Sequence, residues 1–399
     1  HLLTSAIVVW SIAMAASAFA TSYGVLLLTR LALGAVIATA APVVASLVGD
    51  FFSASERGRI YGYVLSGELL GAGLGLVVSG SVAGFVSWRA SFLVLAVPGM
   101  VLAFALHRLL PEPARGGNSL AGERADEGGE EGGDEGGGLA EDAARGQAIA
   151  PHRELVLTQD PAAMSMYAAV RYVLSIRTNV VLIAASALAY FFFTGLQTFT
   201  VEFLRGRFGL GQSVASVLVV AIGAGSIIGV LLGGRIADRL IGRGVIAGRP
   251  LVAGIALLVT AALAAPSLLV SSLVIAAPLL FLAAAAYGAT NPPLDAARLD
   301  VMHHQLWGRA EAVRTVARSL FTAVAPLTFG YVSTLFGGAD GSLGASAGGQ
   351  GSSAPPGGGG LGQTFLVMLI PVVLGGLLLV LRAVRTYPRD VATVAASKR

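Results

Sequence analysis

Apolar runs of about 20 residues recur along this chain, and each is long enough to cross the ~30 Å hydrocarbon core of a bilayer as a helix. Ten of them lie near residues 3–20, 23–47, 60–84, 90–108, 179–203, 213–235, 250–268, 271–291, 310–336 and 364–382. Lipid offers no partner to a backbone N–H or C=O, so a spanning segment must be a helix or part of a closed barrel. A barrel would alternate apolar and polar residues with period two in short segments, and the runs here are continuous. Composition agrees: 55% of residues are hydrophobic, 12% are charged and the mean hydropathy is +0.78. Soluble domains carry roughly a quarter charged residues. The chain therefore reads as an all-α polytopic membrane protein.

The polar segments set the organisation. Residues 123–142 hold nine acidic residues, seven glycines and a single arginine. That composition buries too little apolar surface to fold, so 111–160 reads as a disordered linker. It divides an N-terminal helical part, 1–110 with four spans, from a C-terminal part, 161–399 with six. Residues 161–176, "PAAMSMYAAVRYVLSI", read as an amphipathic helix leading into the fifth span. A second low-complexity loop, "GGADGSLGASAGGQGSSAPPGGGG", separates the last two spans. The chain opens with His1 directly before an apolar run, and its natural N-terminus is expected to lie upstream. No cleavable signal peptide is legible, and with no cysteine there is neither a disulfide framework nor thiol chemistry.

Basic residues fix the expected orientation. If the 42–59 loop is cytoplasmic, seventeen of the Lys and Arg residues that flank the spans fall on that side, and only Arg89, Arg205 and Arg207 fall on the other. The linker and the C-terminus are then cytoplasmic, and the expected location is the plasma (inner) membrane. The net charge of +4 conceals this asymmetry, because the linker core is strongly acidic. The basic remainder suits anionic cytoplasmic lipid, and a nucleic-acid partner is not expected.

"PVVASLVGDFFSASERGR" (42–59) and "PPLDAARLDVMHHQLWGR" (292–309) share Pro42/Pro292, Asp50/Asp300, Gly58/Gly308 and Arg59/Arg309 at an offset of 250. The first follows the second span and the second follows the eighth, so both face the same side. That is the pattern of a parallel repeat, two halves related by an axis along the membrane normal.

With these features in place, the sequence resembles the major facilitator superfamily of secondary transporters. "GGRIADRLIGR" (233–243) is similar to that family's loop signature, "LLLTRLALGAVIATAAP" carries its Arg-x-x-x-Gly pattern in Arg30 and Gly34, and "WRASF" (88–92) fits the start of its sixth helix. The resemblance implies two pseudo-symmetric six-helix halves. Four spans precede the linker here, so the family's first two helices are not in this sequence. The loop signature has Leu240 and Ile241 where one residue is usual, and "GAGLGLVVSG" lacks the proline of the antiporter pattern.

Several side chains are candidates for function. Gly67, Gly71 and Gly75, like Gly225, Gly229 and Gly233, are spaced by four and form smooth ridges for close helix packing. Either each ridge packs within its own half, or the two pack on each other as the family's fifth and eighth helices do; the second reading is preferred. Asp50, Arg57, Arg59, Asp238, Arg239, Arg243, Asp300, Arg309, Glu311 and Arg314 cluster at the cytoplasmic junctions and read as a gate. Within it, Asp238 is expected to face the helix N-terminus near Arg59, where an anion gains about 0.3–1 kcal/mol. Glu68 lies about 14 Å up its helix from Arg59, near mid-membrane, where a carboxylate is costly and usually functional. Its repeat counterpart is Arg318, on the same helix face as Glu311 and Arg314. Glu68 and Arg318 are the candidates for proton coupling, with structural ion pairs as the alternative at even weight. Arg30, about 10 Å into its helix, either binds substrate or holds helices together. The resemblance adds Tyr190, Gln197, Tyr287 and Asn291 as cavity-lining polar groups.

Two patterns carry no weight. Gly344-Ala-Ser346-Ala-Gly348 matches a nucleophile elbow, but no strand precedes it. His303 and His304 are adjacent and would point apart on a helix, with no third ligand in view, so no metal is expected. The reading is therefore a transporter of a small solute by alternating access, a monomer with no cofactor and no enzymatic step, with H⁺ as the coupling ion. Symport and antiport stay open. The alternative is a non-transporting membrane receptor or scaffold of the same fold, or an inactive fragment.

Overall fold

The structure is a computed structural model, and it describes residues 2–51, 57–109, 139–157, 161, 164–337 and 358–397. All ten apolar runs are helices: α1 (Leu2–Ala18), α2 (Tyr23–Phe51), α3 (Arg57–Phe85), α4 (Trp88–Leu109), then α7 (Arg177–Phe208), α8 (Gln212–Gly242), α9 (Gly248–Leu269), α10 (Leu273–Gly288), α12 (Trp307–Gly337) and α13 (Gly358–Leu378). Shorter helices are α5 (Leu139–Gly146), α6 (Met166–Ser175), α11 (Asn291–Asp300) and α14 (Val384–Ser397). No strand occurs among the described residues. Seven helices, searched over those residues, are long and apolar enough to cross a membrane.

The chain divides into two compact units, 1–136 with 304–315, and 137–303 with 316–399. In the first, α1 packs against α2 and α4, and α4 against α3. Its interior is made of small groups such as Ser11, Ala13, Ser17, Ser91, Ala96 and Ala103. Phe85, Val97 and Phe104 point outward. That distribution suits a bundle in lipid, where helices associate through close packing and the outer surface stays apolar.

In the second unit, α8 packs on α10, α7 on α13, and α9 on both α10 and α13. Phe329 anchors one side of it, 6.3 Å from Phe199 in a stacked pair and 5.7 Å from Phe365 edge-on. Offset and edge-to-face rings of this kind add to the area they bury.

Three segments differ from the sequence expectation. Residues 139–157, assigned to a disordered linker by composition, include α5 and a 3-10 turn at Arg153–Leu155. Ala140, Ala143 and Ala144 place small apolar side chains at helical spacing within an acidic stretch, and Ala140 and Ala144 are fully buried. A mean over twenty residues hides that stripe. The run "NPPLDAARLD", read as loop, is the helix α11, with prolines at its first positions, where a missing N–H costs nothing. Finally, the last span does not end at 382. A π turn at Leu379–Ala383 joins α13 to α14. The extra residue in such a turn rotates the following face, and α14 turns Tyr387, Asp390, Val391 and Val394 inward.

Candidate functional site

The glycine ridge of α8 is filled by a helix of its own unit. A Cβ on Gly225 would overlap the Phe281 carbonyl, on Gly229 the Ala285 carbonyl, and on Gly233 the Ala289 carbonyl. The reciprocal small residue is Gly288, beneath the Ser226 carbonyl. The α8 backbone therefore rides directly on α10, and the preferred reading of this ridge as a seam between the halves is corrected to packing inside the C-terminal half. The physical reason is that spacing by four specifies a smooth face and not the helix that meets it. Added Cβ atoms on Gly67, Gly71 and Gly75 of α3 would have no atom within 4 Å.

At one end of the second unit a charged cluster ties four helices. Arg249, near the start of α9, donates from Nη2 to Asp238 Oδ1 of α8 at 3.1 Å and from Nη1 to Asp300 Oδ2 of α11. The Tyr387 hydroxyl of α14 donates to the same Asp300 oxygen. Arg249 is buried, Asp300 nearly so, and Asp238 half-exposed. Asp238 thus has a guanidinium of its own half as partner. Neither Arg249 nor Tyr387 was singled out by the sequence. Arg249 counted only as one more positive-inside residue, and Tyr387 lies beyond the last apolar run. Arg239 and Arg243 are exposed beside the cluster, and the side chains of Asp50, Arg57 and Arg59 lie outside the described residues.

Two further buried pairs stand on neighbouring helices. Arg298 Nη2 donates to Asp295 Oδ1 at 2.7 Å within α11. On the first turns of α12, Arg314 Nη2 donates to Glu311 Oε1 at 2.7 Å, and the Thr315 hydroxyl reaches the same oxygen at 3.4 Å. Glu311 and Arg314 are both buried, and Arg309 is half-buried one turn earlier.

The last part of the 111–160 segment is strapped to the same end of the second unit. The His152 N–H donates to Thr393 Oγ1 at 2.9 Å, and the Leu157 N–H to Ser397 Oγ at 3.0 Å. Buried Asp390 accepts the Thr178 N–H at 3.0 Å, capping the start of α7, and lies 3.8 Å from His152 Nε2. The Tyr172 hydroxyl of α6 donates to the Leu155 carbonyl at 3.1 Å. Burial, with the Asp390 charge second, pushes its pKa up from 10.0 to about 12. A raised folded value means the phenol's contribution is whole below pH 10 and is lost as pH climbs through about 12. Asp390→Ala is expected to cost about 0.5–2 kcal/mol, the range for a lost helix cap. It should also make the chain between 139 and 157 more sensitive to limited proteolysis. Wild-type cleavage kinetics would show that Asp390 does not hold the strap.

Among the described residues, Arg318 and Arg30 stand inside spans with no acidic partner. Arg318 of α12 lies over the Tyr190 ring, 4.5 Å from its centroid. Close by in the same unit, Tyr287 stacks on Phe193 at 5.1 Å and donates its hydroxyl to the Ala189 carbonyl at 3.2 Å. In the first unit, Arg30 donates from Nη2 to Ser17 Oγ at 2.5 Å and sits over the Phe92 ring at 4.6 Å, with its Nε buried and unpartnered. A desolvated cation–π contact returns roughly 2 kcal/mol. An arginine at the centre of a spanning helix costs about 2.5–3.5 kcal/mol even on the lenient insertion scale. The ring contact alone therefore does not repay Arg318. Glu68 stands exposed on α3, Gln197 is exposed on α7, and Asn291 begins α11 half-buried.

Polytopic helices, two compact units, charge collected at helix junctions and uncompensated cations within spans together define the membrane-transporter class. A family model for the Major Facilitator Superfamily matches residues 1–326. The chain belongs to that superfamily, whose members carry small molecules across lipid bilayers. Among solved structures, it is similar to a bacterial homolog of the human lysosomal transporter Spinster. The inward-facing, unoccupied form matches at TM-score 0.63 and 19% identity, over 98% of this chain and 83% of that one. The inward-facing, occupied form matches at TM-score 0.61 with the same identity and coverage. These likenesses concern the fold. A comparison with curated protein sequences gives no match.

Proposed function

We propose that the protein is a secondary transporter that moves a small solute by alternating access, coupled to H⁺ through Glu68. The observation that carries the coupling is a carboxylate, Glu68, well inside an apolar helix of the first unit, where an ionised acid is costly unless it has a task. Desolvation raises a carboxyl pKa and a nearby cation lowers it. In this reading Glu68 meets different surroundings as the transport cycle turns, with Arg318, its repeat counterpart, as the cation it gains and loses. Proton uptake and release then follow conformation. Symport and antiport fit equally. The distribution of basic residues supports a plasma-membrane location with the linker and C-terminus cytoplasmic, and the protein is read as a monomer without enzymatic activity.

The test is Glu68→Gln, which mimics the protonated acid. In proteoliposomes with an imposed pH gradient, wild-type protein should accumulate a labelled solute found by screening. The variant should lose proton-driven accumulation while keeping solute exchange. Accumulation at wild-type level in Glu68→Gln would remove Glu68 from the coupling step. A wild-type protein that moves no solute in either mode would favour a receptor or scaffold role.

A further inference from the structure

Arg318 and Arg30 share a chemical predicament. Among the described residues no acceptor takes a hydrogen bond from Arg318, and no carboxylate forms an ion pair with it. The nearest acid along its helix face, Glu311, is engaged by Arg314 and Thr315. One face of the guanidinium is covered by Tyr190, but a ring contact uses none of its five N–H donors. The side chain is half-buried, so those donors can be reached. Arg30 repeats the arrangement in the other unit, with Phe92 against the guanidinium, a serine hydroxyl as its one oxygen partner, and a buried Nε left over. Two such residues, one in each unit, make an accident of packing a poor account.

A planar guanidinium held by an aromatic ring presents a fixed fork of donors, which matches a carboxylate, sulfonate or phosphate in two-point contact. Beside Arg318 are the half-buried aromatic rings of Tyr190 and Phe193, with buried Tyr287 stacked on Phe193. We propose that Arg318 is the anchor for a soluble organic anion with an apolar body, and that the transported solute belongs to this class. The anionic group takes the guanidinium donors and the apolar body lies against the aromatic side chains. The assignment rests on the transporter reading for its biological meaning, but the binding step does not need transport to occur.

The experiment is equilibrium binding to the full chain in phosphatidylcholine nanodiscs, with labelled naphthalene-2-sulfonate as the probe and 2-naphthylmethylammonium as its cationic isostere. The sulfonate should bind wild-type protein, about tenfold or more weakly to Arg318→Gln, and with intermediate affinity to Arg318→Lys, which keeps the charge but loses the fork of donors. The ammonium should not bind. Should Arg318→Gln fail to fold, Tyr190→Leu serves in its place, since it keeps the cation and removes its aromatic support; weakened sulfonate binding is then expected. Undiminished sulfonate binding in the variants, or equal binding of the ammonium, overturns the proposal. Repeating the measurement with phosphatidylglycerol nanodiscs separates the sources of anion. If no soluble sulfonate binds in phosphatidylcholine, and Arg318→Gln instead releases bound phosphatidylglycerol, the residue holds a lipid headgroup and the proposal falls. Binding of the sulfonate without its passage across proteoliposomes would sink the transporter reading and leave the anchor standing. Accumulation of cationic solutes alone would do the reverse.

Discussion

Gly229→Val should all but abolish recovery of folded protein. The α8 and α10 backbones meet at this point, and even a single methyl would overlap the Ala285 carbonyl and crowd the Ala289 amide. Both obstacles are backbone, so no rotamer change relieves them, and the helices must move apart along their whole contact. Overpacking of a core site costs typically 1–3 kcal/mol when side chains can yield, and about 3 kcal/mol or more is expected here. Gly71→Val is the control, because nothing lies within 4 Å of its added Cβ. Fluorescence-detected size-exclusion chromatography after heating would measure both. The expected result is a large loss of the monodisperse peak for Gly229→Val and near wild-type behaviour for Gly71→Val. Equal behaviour of the two would mean that the α8–α10 contact is not tight.

Arg249→Ala should have the next largest effect. It removes the cation shared by Asp238 and Asp300 and leaves Asp300, itself largely buried, with only the Tyr387 hydroxyl. Breaking a buried pair by deleting one partner costs about 3–5 kcal/mol, because the remaining charge stays desolvated. Asp238→Asn should cost about 1 kcal/mol or less, since Asp238 is 32% exposed and solvent screens its contact. The double variant Arg249→Met with Asp300→Asn should regain part of the loss by removing both charges. Thermal unfolding in detergent reads all three. Arg249→Ala unfolding at the same temperature as Asp238→Asn would show that the cluster is not a clamp.

The ten helices were legible because membrane crossing imposes a length and a polarity that no soluble context mimics. The charged residues at the helix junctions stood out against the apolar runs. Their pairing was not legible. Asp238 has Arg249 as partner because α8 and α9 join through a short turn that brings their ends together, and Asp300 joins them because α11 extends α10 by ten residues. The C-terminal helix and the strap at 139–157 were missed for one shared reason. Their stability comes from Tyr387, Asp390, Thr393 and Ser397 meeting distant partners, not from any apolar run of their own.

By itself the sequence determined the class of the molecule, the positions of its spans, and the rarity of charge within them. Those properties follow from the cost of transferring each residue into lipid, which is additive and local. Which helix fills the ridge at Gly229, which acid Arg249 holds, and which arginines are left without a counter-ion were decided only by tertiary structure. Each depends on distances between elements far apart in the chain, and a pattern read along one strand of sequence carries no distances across it.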